Sequence, residues 1–419
     1  MLIRLRASRN TKLTPAGDLP IDWDCVQLGS LIDGLDAGTS VTGIDQPAAS
    51  HEVGVLKVSA ISQGKFRPSE NKTILSASEI NRATVQPKKG SLIISRSNSP
   101  ELVGDAALVD VDVPNLFLPD KLWQVRTRGA QLVCERWLLQ AILDPRVRFE
   151  VRNRASGTSQ SMKNISKDSL LTIPVALPSL PEQRKIADIL TTWDEALAKL
   201  DALIDAQERR KKALMQQFLT GKMRFPEFKK RWSRVSLGDV AENVADQNKG
   251  RMGTSSLYGV TKTDGMVPMR DHVKGESFHR CKRVETDWFA YNPMRVNIGS
   301  IARWRGTETV MVSGDYVVFR CHSGKLLPAY LDHLRKSWMW QSFVTRGGNG
   351  SVRVRIYFSD LAEFTFPCPP VDEQRQIAAI LDTADQQITL LRTQRAAIDQ
   401  QKRGLMQRLL TGKVRVKPV

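Results

Sequence analysis

The residues with most chemistry to offer are arginines and asparagines in short polar stretches. Arg96 and Asn98 lie in Leu92-Ile93-Ile94-Ser95-Arg96-Ser97-Asn98-Ser99, which is followed by Val103-Gly104. Arg295 and Asn297 lie in Phe289-Ala290-Tyr291-Asn292-Pro293-Met294-Arg295-Val296-Asn297-Ile298-Gly299. A guanidinium can bond guanine O6 and N7 together, and a carboxamide can do the same at adenine N6 and N7. With Asn349, these residues are candidates for reading base edges. Two basic stretches add phosphate chemistry. One carries Arg146, Arg148, Arg152, Arg154, Gly157 and Lys163, the other Arg346, Gly347, Gly348, Asn349, Gly350, Arg353 and Arg355. Both read as loops, and each follows a helix-like segment, 132–143 in one case and 329–343 in the other. Cations recurring at matched places favour contact with a phosphate backbone.

Other chemistries find little support. Cys281 with His279 and Cys321 with His322 match no structural zinc spacing, so no metal site is expected. Thr-Gly-Lys at 220–222 and 411–413 lacks the frame of a phosphate-binding loop and closes a helix rather than opening one. Asn292-Pro293-Met294-Arg295 lacks the second proline and the aromatic of a DNA amino-methyltransferase motif. No nucleophile–base arrangement presents itself, so the chain is expected to be non-catalytic. Five scattered cysteines suit reduced thiols. A formal charge of +18 across 419 residues favours a polyanionic partner, nucleic acid before a membrane surface. No apolar run is long enough to span a bilayer, and the first residues show no signal-peptide core, so a cytoplasmic protein is expected.

What positions these residues is an internal repeat. Glu182-Gln183-Arg184-Lys185-Ile186-Ala187 returns as Glu373-Gln374-Arg375-Gln376-Ile377-Ala378, and Leu-Met-Gln-x-x-Leu-Thr-Gly-Lys at 214–222 returns at 405–413. Both pairs share an offset of 191, and 20 of the 43 positions from Glu182 to Arg224 are identical, which excludes coincidence. Each copy opens on Trp-x-x-Val-x-Leu-Gly, at Trp23 and Trp232, and then passes through a divergent region of mixed strand and helix character. Strands are expected at 91–95, 106–109 and 315–319.

The matched segments read as long helices. Ile186, Leu190, Trp193, Leu197, Leu200 and Ile204 keep heptad spacing, as do Ile377, Leu381, Ile388, Leu391, Ile398 and Leu405 in the second copy. Gly221 and Gly412 stand where left-handed caps would end them. Two antiparallel helices, each roughly 60 Å long, would bury both seams and carry a globular head at either end.

The repeat, the Glu-Gln-Arg-x-Ile-Ala openings and the Leu-Thr-Gly-Lys closings together resemble the specificity subunit of type I restriction–modification systems, from about Pro20 to Val416. The resemblance implies an α+β architecture of two mixed α/β target recognition domains joined by two long antiparallel helices in a coiled coil. The expected organisation is an extension over 1–19, a first recognition domain over 20–178 and a central helical region over 179–224. A second recognition domain covers 225–369 and a terminal helical region 370–419. It further implies that each domain reads half of a bipartite site in double-stranded DNA while the helices set the spacer. Two methyltransferase subunits and restriction subunits would be the partners. S-adenosylmethionine, ATP and Mg2+ would sit on those partners, with no cofactor in this chain. The local motifs around Arg96 and Arg295 resemble two different groups of recognition domain, which would suit an asymmetric site. A recognition subunit of a type IIB-like system is the nearest alternative, and a coiled-coil scaffold without DNA binding is a more distant one.

Overall fold

A computed structural model describes residues 5–7, 10–159, 161–270, 278–346 and 355–416. Its contacts divide the chain into two compact units, Met1–Leu200 with Gln394–Val419, and Asp201–Thr393. Each unit holds one divergent region and part of both long helices.

The first unit is built on a four-stranded antiparallel sheet. Its strands are β1 (Ile32–Ala37), β2 (Leu92–Ser95), β3 (Ala106–Leu108) and β4 (Leu122–Thr127), in the order β3-β2-β4-β1. The second unit repeats this with β5 (Ala241–Val244), β6 (Phe289–Tyr291), β7 (Ile301–Arg303) and β8 (Val317–Cys321), in the order β7-β6-β8-β5. The central sheets of the two heads therefore share one strand order. β2 is buried at all four positions, as is β6 at all three, which accounts for continuous apolar runs where alternation would mark a half-exposed strand.

The Trp-x-x-Val-x-Leu-Gly opening has a common role in both units. Asp24–Gln27 pairs antiparallel with Pro174–Leu177, and Ser233–Ser236 with Thr365–Cys368, so the strand entering each head lies beside the strand leaving it. Leu28 N–H then donates to the Ile173 carbonyl, and Leu237 N–H to that of Phe364. Glycine follows because a Cβ there would press on Leu171 in one unit and Ala362 in the other, at 3.3 and 3.1 Å.

The basic stretch after the first head's helix is not the expected loop. Helix α1 (Glu135–Leu143) ends at Asp144, and α2 (Pro145–Arg154) begins at once. Asp144 caps α2 by accepting from Arg146 N–H, and proline at the first helical position supplies its fixed φ. Arg146 folds back onto the Asp144 carboxylate and the Ala16 carbonyl. Arg148, only 8% exposed, donates to the Glu101 carbonyl and lies 3.7 Å from Asp105. Both arginines hold the head together. In the second unit the single helix expected over 329–343 is two, α4 (Pro328–Leu334) and α5 (Trp338–Arg346), interrupted at 335–337. Asp332, 2% exposed, takes Arg335 and Arg305 at 2.6 Å each, so the polar break is held by buried charge pairs.

The repeated segments form α3 (Leu180–Phe218) and α6 (Val371–Leu410). Ile186, Leu190, Leu197 and Ile204 are buried, as are Ile377, Leu381 and Ile388, while Trp193, Leu200, Leu391, Ile398 and Leu405 are half-buried. Every predicted seam position is at least partly covered. Within each unit the helices meet antiparallel through a charge pair that the repeat preserves. Lys402 donates to Asp194 at 2.6 Å in the first unit, and Lys211 to Asp385 in the second. Lys402, four residues beyond Ile398, and Lys211, seven beyond Ile204, fall in line with the heptad seams and are thus cross-helix ties, which fix register at some cost in stability.

The repeated motifs come together at each helix start. Glu182 is 3% exposed and receives Arg415 through Nε and Nη2, at 2.8 and 2.9 Å, with Trp23 Nε1 donating at 3.0 Å. Glu373 is fully buried and receives Arg224 at 2.9 and 2.7 Å, with Trp232 Nε1 at 2.8 Å. Each guanidinium also lies over its tryptophan ring, at 5.4 and 5.5 Å. Gln183 accepts from Cys134 N–H and donates to the Pro178 and Leu132 carbonyls. Gln374 repeats the pattern with Leu327 N–H and the Pro369 and Lys325 carbonyls. Gly412 and Gly221 adopt φ of +65° and +72°, as expected of left-handed caps. A Cβ at Gly412 would fall 2.4 Å from Pro20, and one at Gly221 3.3 Å from Trp232.

Removing one partner of a buried ion pair strands the other charge. Arg415→Ala should cost about 2 kcal/mol, less than a fully buried pair because Arg415 faces some solvent. Hydrogen exchange should quicken roughly thirtyfold at the amides of residues 182–190 and stay unchanged at 373–381. Unchanged exchange at 182–190 would contradict this role.

Candidate nucleic-acid interface

The equivalent sheets bring the two motif loops to equivalent places. Residues 96–105 connect β2 to β3, and residues 292–300 connect β6 to β7. Ser95 N–H bonds the Asp105 carbonyl, as Asn292 N–H bonds that of Ser300, and each loop closes on a positive-φ glycine, Gly104 or Gly299. A second segment is pinned to each loop by one backbone bond. Ile165 N–H donates to the Arg96 carbonyl at 2.9 Å, and Ile356 N–H to that of Pro293 at 3.1 Å. Ile165 and Ile356 are related by the repeat offset of 191, which neither divergent region displays by identity alone.

In the first unit Ser97–Asn98, Met162–Asn164 and Ser156–Ser159 form a three-stranded antiparallel ribbon. It places Asn98 directly opposite Lys163. Arg96, half-buried, carries its guanidinium 5.7 Å over the Trp123 ring. Asn98 Oδ1 accepts from Ser99 N–H at 2.8 Å, and Lys163 Nζ donates to the Gly157 carbonyl at 3.0 Å. Arg152 and Arg154 end α2; Arg152 is exposed, and Arg154 donates to Glu150 and Thr172. Arg96, Asn98 and Lys163 are thereby gathered on one ribbon and its approach.

In the second unit Arg295 and Asn297 are exposed, Arg295 just before and Asn297 within the 3-10 segment Val296–Ile298, where the Asn297 carbonyl accepts from Gln341 of α5 at 3.0 Å. Arg346 is exposed at the end of α5, and exposed Arg355 donates to Tyr357 Oη at 3.4 Å. Asn349 and Arg353 lie outside the described residues. Sequence reading passed over Gln341 and Trp338, the latter 63% exposed on the same helix. The signal available was the amphipathic spacing within the helix-like segment 329–343.

Elsewhere the chemistry is that of a scaffold. Burial raises the thiol pKa of Cys281, and that of Cys321 to about 12, so neither is a ready metal ligand. Among the described residues one group could approach a metal's needs: His333 on α4 with Asp382 and Asp385 on α6. His333 Nε2 lies 3.1 Å from Asp382 Oδ1. Burial pushes its pKa down to about 4, against the pull of Asp382 and with the help of Lys336 and Lys211. Lys211 already neutralises Asp385, and Arg305 stands 3.6 Å from Asp382. The group ties a head to a helix. Gln140 does the same in the first unit by donating to Asp194, the repeat equivalent of Asp385. Among the described residues no helix is long and apolar enough to cross a membrane.

Comparison with known proteins agrees with this geometry. The putative type I restriction enzyme MjaX specificity subunit of Methanocaldococcus jannaschii is 22% identical over 100% of this chain and 99% of its own length. The type I restriction enzyme EcoEI specificity subunit of Escherichia coli is 27% identical over 46% of this chain and 32% of that protein. Among solved structures, the type I restriction–modification S subunit of M. genitalium superimposes with a TM-score of 0.58 at 15% identity, covering 98% of this chain and 99% of that one. The family profile described as "Type I restriction modification DNA specificity domain" matches residues 20–206 and 303–400. With both heads built on one sheet order and both helix starts closed by one set of contacts, the chain belongs to the type I restriction–modification specificity subunits, the non-catalytic chains that give such systems their DNA sequence specificity.

Proposed function

We propose that this chain reads a bipartite site in double-stranded DNA, one half through the head within residues 20–178 and the other through the head within 225–369. The observation that carries this reading is the equivalence of the loops at 96–105 and 292–300, built on matching sheets but from different residues. Shared frames supply the same approach to DNA, and unlike side chains supply different base contacts. Arg152, Arg346 and the net charge of +18 furnish phosphate contacts, which position the heads without specifying sequence. The long helices set the spacer. Restriction subunits, and the S-adenosylmethionine, ATP and Mg2+ that the chemistry requires, belong to the assembled cytoplasmic complex.

Two methyltransferase subunits would dock on surfaces that the repeat duplicates. Most repeated residues are explained by contacts inside the chain, as for Glu182, Gln183, Asp194, Lys211 and Arg224. Among the described residues, three repeated polar positions remain exposed in both copies without a side-chain contact that both copies share. They are Arg184 with Arg375, Gln216 with Gln407, and Lys222 with Lys413. Among the described residues Arg375 meets exposed Asp372 alone, a pair of small energetic weight with no counterpart at Arg184. Antiparallel helices place Arg184, Gln407 and Lys413 in one unit and Arg375, Gln216 and Lys222 in the other. Each unit therefore presents the same three side chains to one copy of a partner.

Exchanging residues 20–178 for those of a relative should alter the bases of one half-site only, as read by methylome sequencing of cells carrying the hybrid system. Changes in both halves would contradict the two-head reading. Charge reversal by Arg184→Glu with Lys413→Glu should weaken one methyltransferase docking event at least tenfold and leave a complex with a single methyltransferase in native mass spectrometry. Retention of both subunits at unchanged affinity would contradict the docking surface.

A further inference from the structure

We infer that Asn164 and Arg355 are paired base-reading residues, one for each half-site, Asn164 selecting adenine and Arg355 guanine at the equivalent position. This rests on the two-head reading above and assigns specific side chains within it. The two residues occupy one site of the repeat, since the offset of 191 that aligns the helices carries 164 onto 355. Each is exposed and immediately precedes a buried isoleucine, Ile165 at 1% or Ile356 at 5%. Each isoleucine's N–H is bonded to the motif loop, at the Arg96 or Pro293 carbonyl. The backbone beside both residues is therefore fixed against the loop while the side chains remain outside. In the first unit Asn164 lies on the central strand of the ribbon, opposite Ser97 on one side and Ser156 on the other.

In the first unit, hydrogen-bonding capacity separates Asn164 from its neighbours. The Asn98 carboxamide oxygen, the Lys163 ammonium and the Arg154 guanidinium are all engaged within the head. The Arg96 guanidinium is packed over Trp123. By contrast, among the described residues the Asn164 carboxamide has no partner and Arg355 makes one exposed 3.4 Å bond, to Tyr357. A free carboxamide offers one donor and one acceptor, the complement of adenine N7 and N6. A guanidinium offers paired donors, the complement of guanine O6 and N7. The same position thus carries the two side chains that read the two purines.

The test selects bound sites from a randomised DNA library with the chain assembled with its methyltransferase partners. A wild-type motif without two separated halves would defeat the two-head reading itself. Given a bipartite motif, Asn164→Ala should relax discrimination roughly tenfold at one base of the half-site read by the first head. Asn164→Arg should favour guanine there. Arg355→Ala and Arg355→Asn should act likewise at one base of the other half, towards relaxation and adenine. Unchanged motifs in all four variants would overturn the inference. So would changes spread over several bases, or loss of binding to every sequence by a variant of unchanged melting temperature, because exposed side chains that read bases leave the phosphate contacts intact.

Discussion

A buried carboxylate at the start of each long helix is the constraint on which the architecture depends. Glu182 and Glu373 are all but inaccessible to water, and an uncompensated charge there would be costly. Each is satisfied by an arginine just beyond the end of the other helix and by a tryptophan from the opening of its own head. One contact therefore closes three things at once: the antiparallel pairing, the cap at Gly412 or Gly221, and the point where the chain enters the head. Gln183 and Gln374 extend the closure by bonding the segments that lead into α1 and α4. The heads are joined to the helices through side chains that the repeat preserves, and their variable parts lie elsewhere.

That division explains how one frame can carry different specificities. Contacts that must be the same in both copies concentrate at the helix starts, the caps and the strands entering and leaving each head. The loops at 96–105 and 292–300 are tied down by backbone bonds, from Ile165 N–H and Ile356 N–H, so their side chains can change while the path of the chain is kept. A backbone bond is indifferent to the residue that makes it, and recognition loops held this way are free to diverge. At the junction the side chains differ: Gln140 bonds Asp194 in the first unit, whereas His333 bonds Asp382, one turn before the equivalent Asp385, in the second.

Much of the fold was legible in the sequence because it is periodic or repeated. Heptad spacing identified the seam, and every predicted position is at least half covered, from Ile186 to Leu405. The strands expected at 91–95, 106–109 and 315–319 stand within a residue or two of their places, at Leu92–Ser95, Ala106–Leu108 and Val317–Cys321. Local misreadings have local causes. Asp144-Pro145 is a helix start as well as a break, and reading it as a break turned α2 into a loop and made structural Arg146 and Arg148 look like surface cations. The polar run at 335–337 was masked by apolar residues on both sides, so two helices read as one. The role of Glu-Gln-Arg could not be seen from its own neighbourhood, because its partners are 233 and 149 residues away. The equivalence of Arg96 and Pro293 was hidden for a similar reason: a shared carbonyl position leaves no identity in sequence.

The central claim is that equivalent loops on two heads address different halves of one DNA site. It is met most directly by photo-crosslinking from a reactive residue placed at Asn98 in one protein and at Asn297 in another, each assembled on a DNA duplex carrying the site. Adducts confined to one half-site from position 98 and to the other half-site from position 297 are the predicted result. Adducts from both positions in the same half-site, or none in either half, would contradict it.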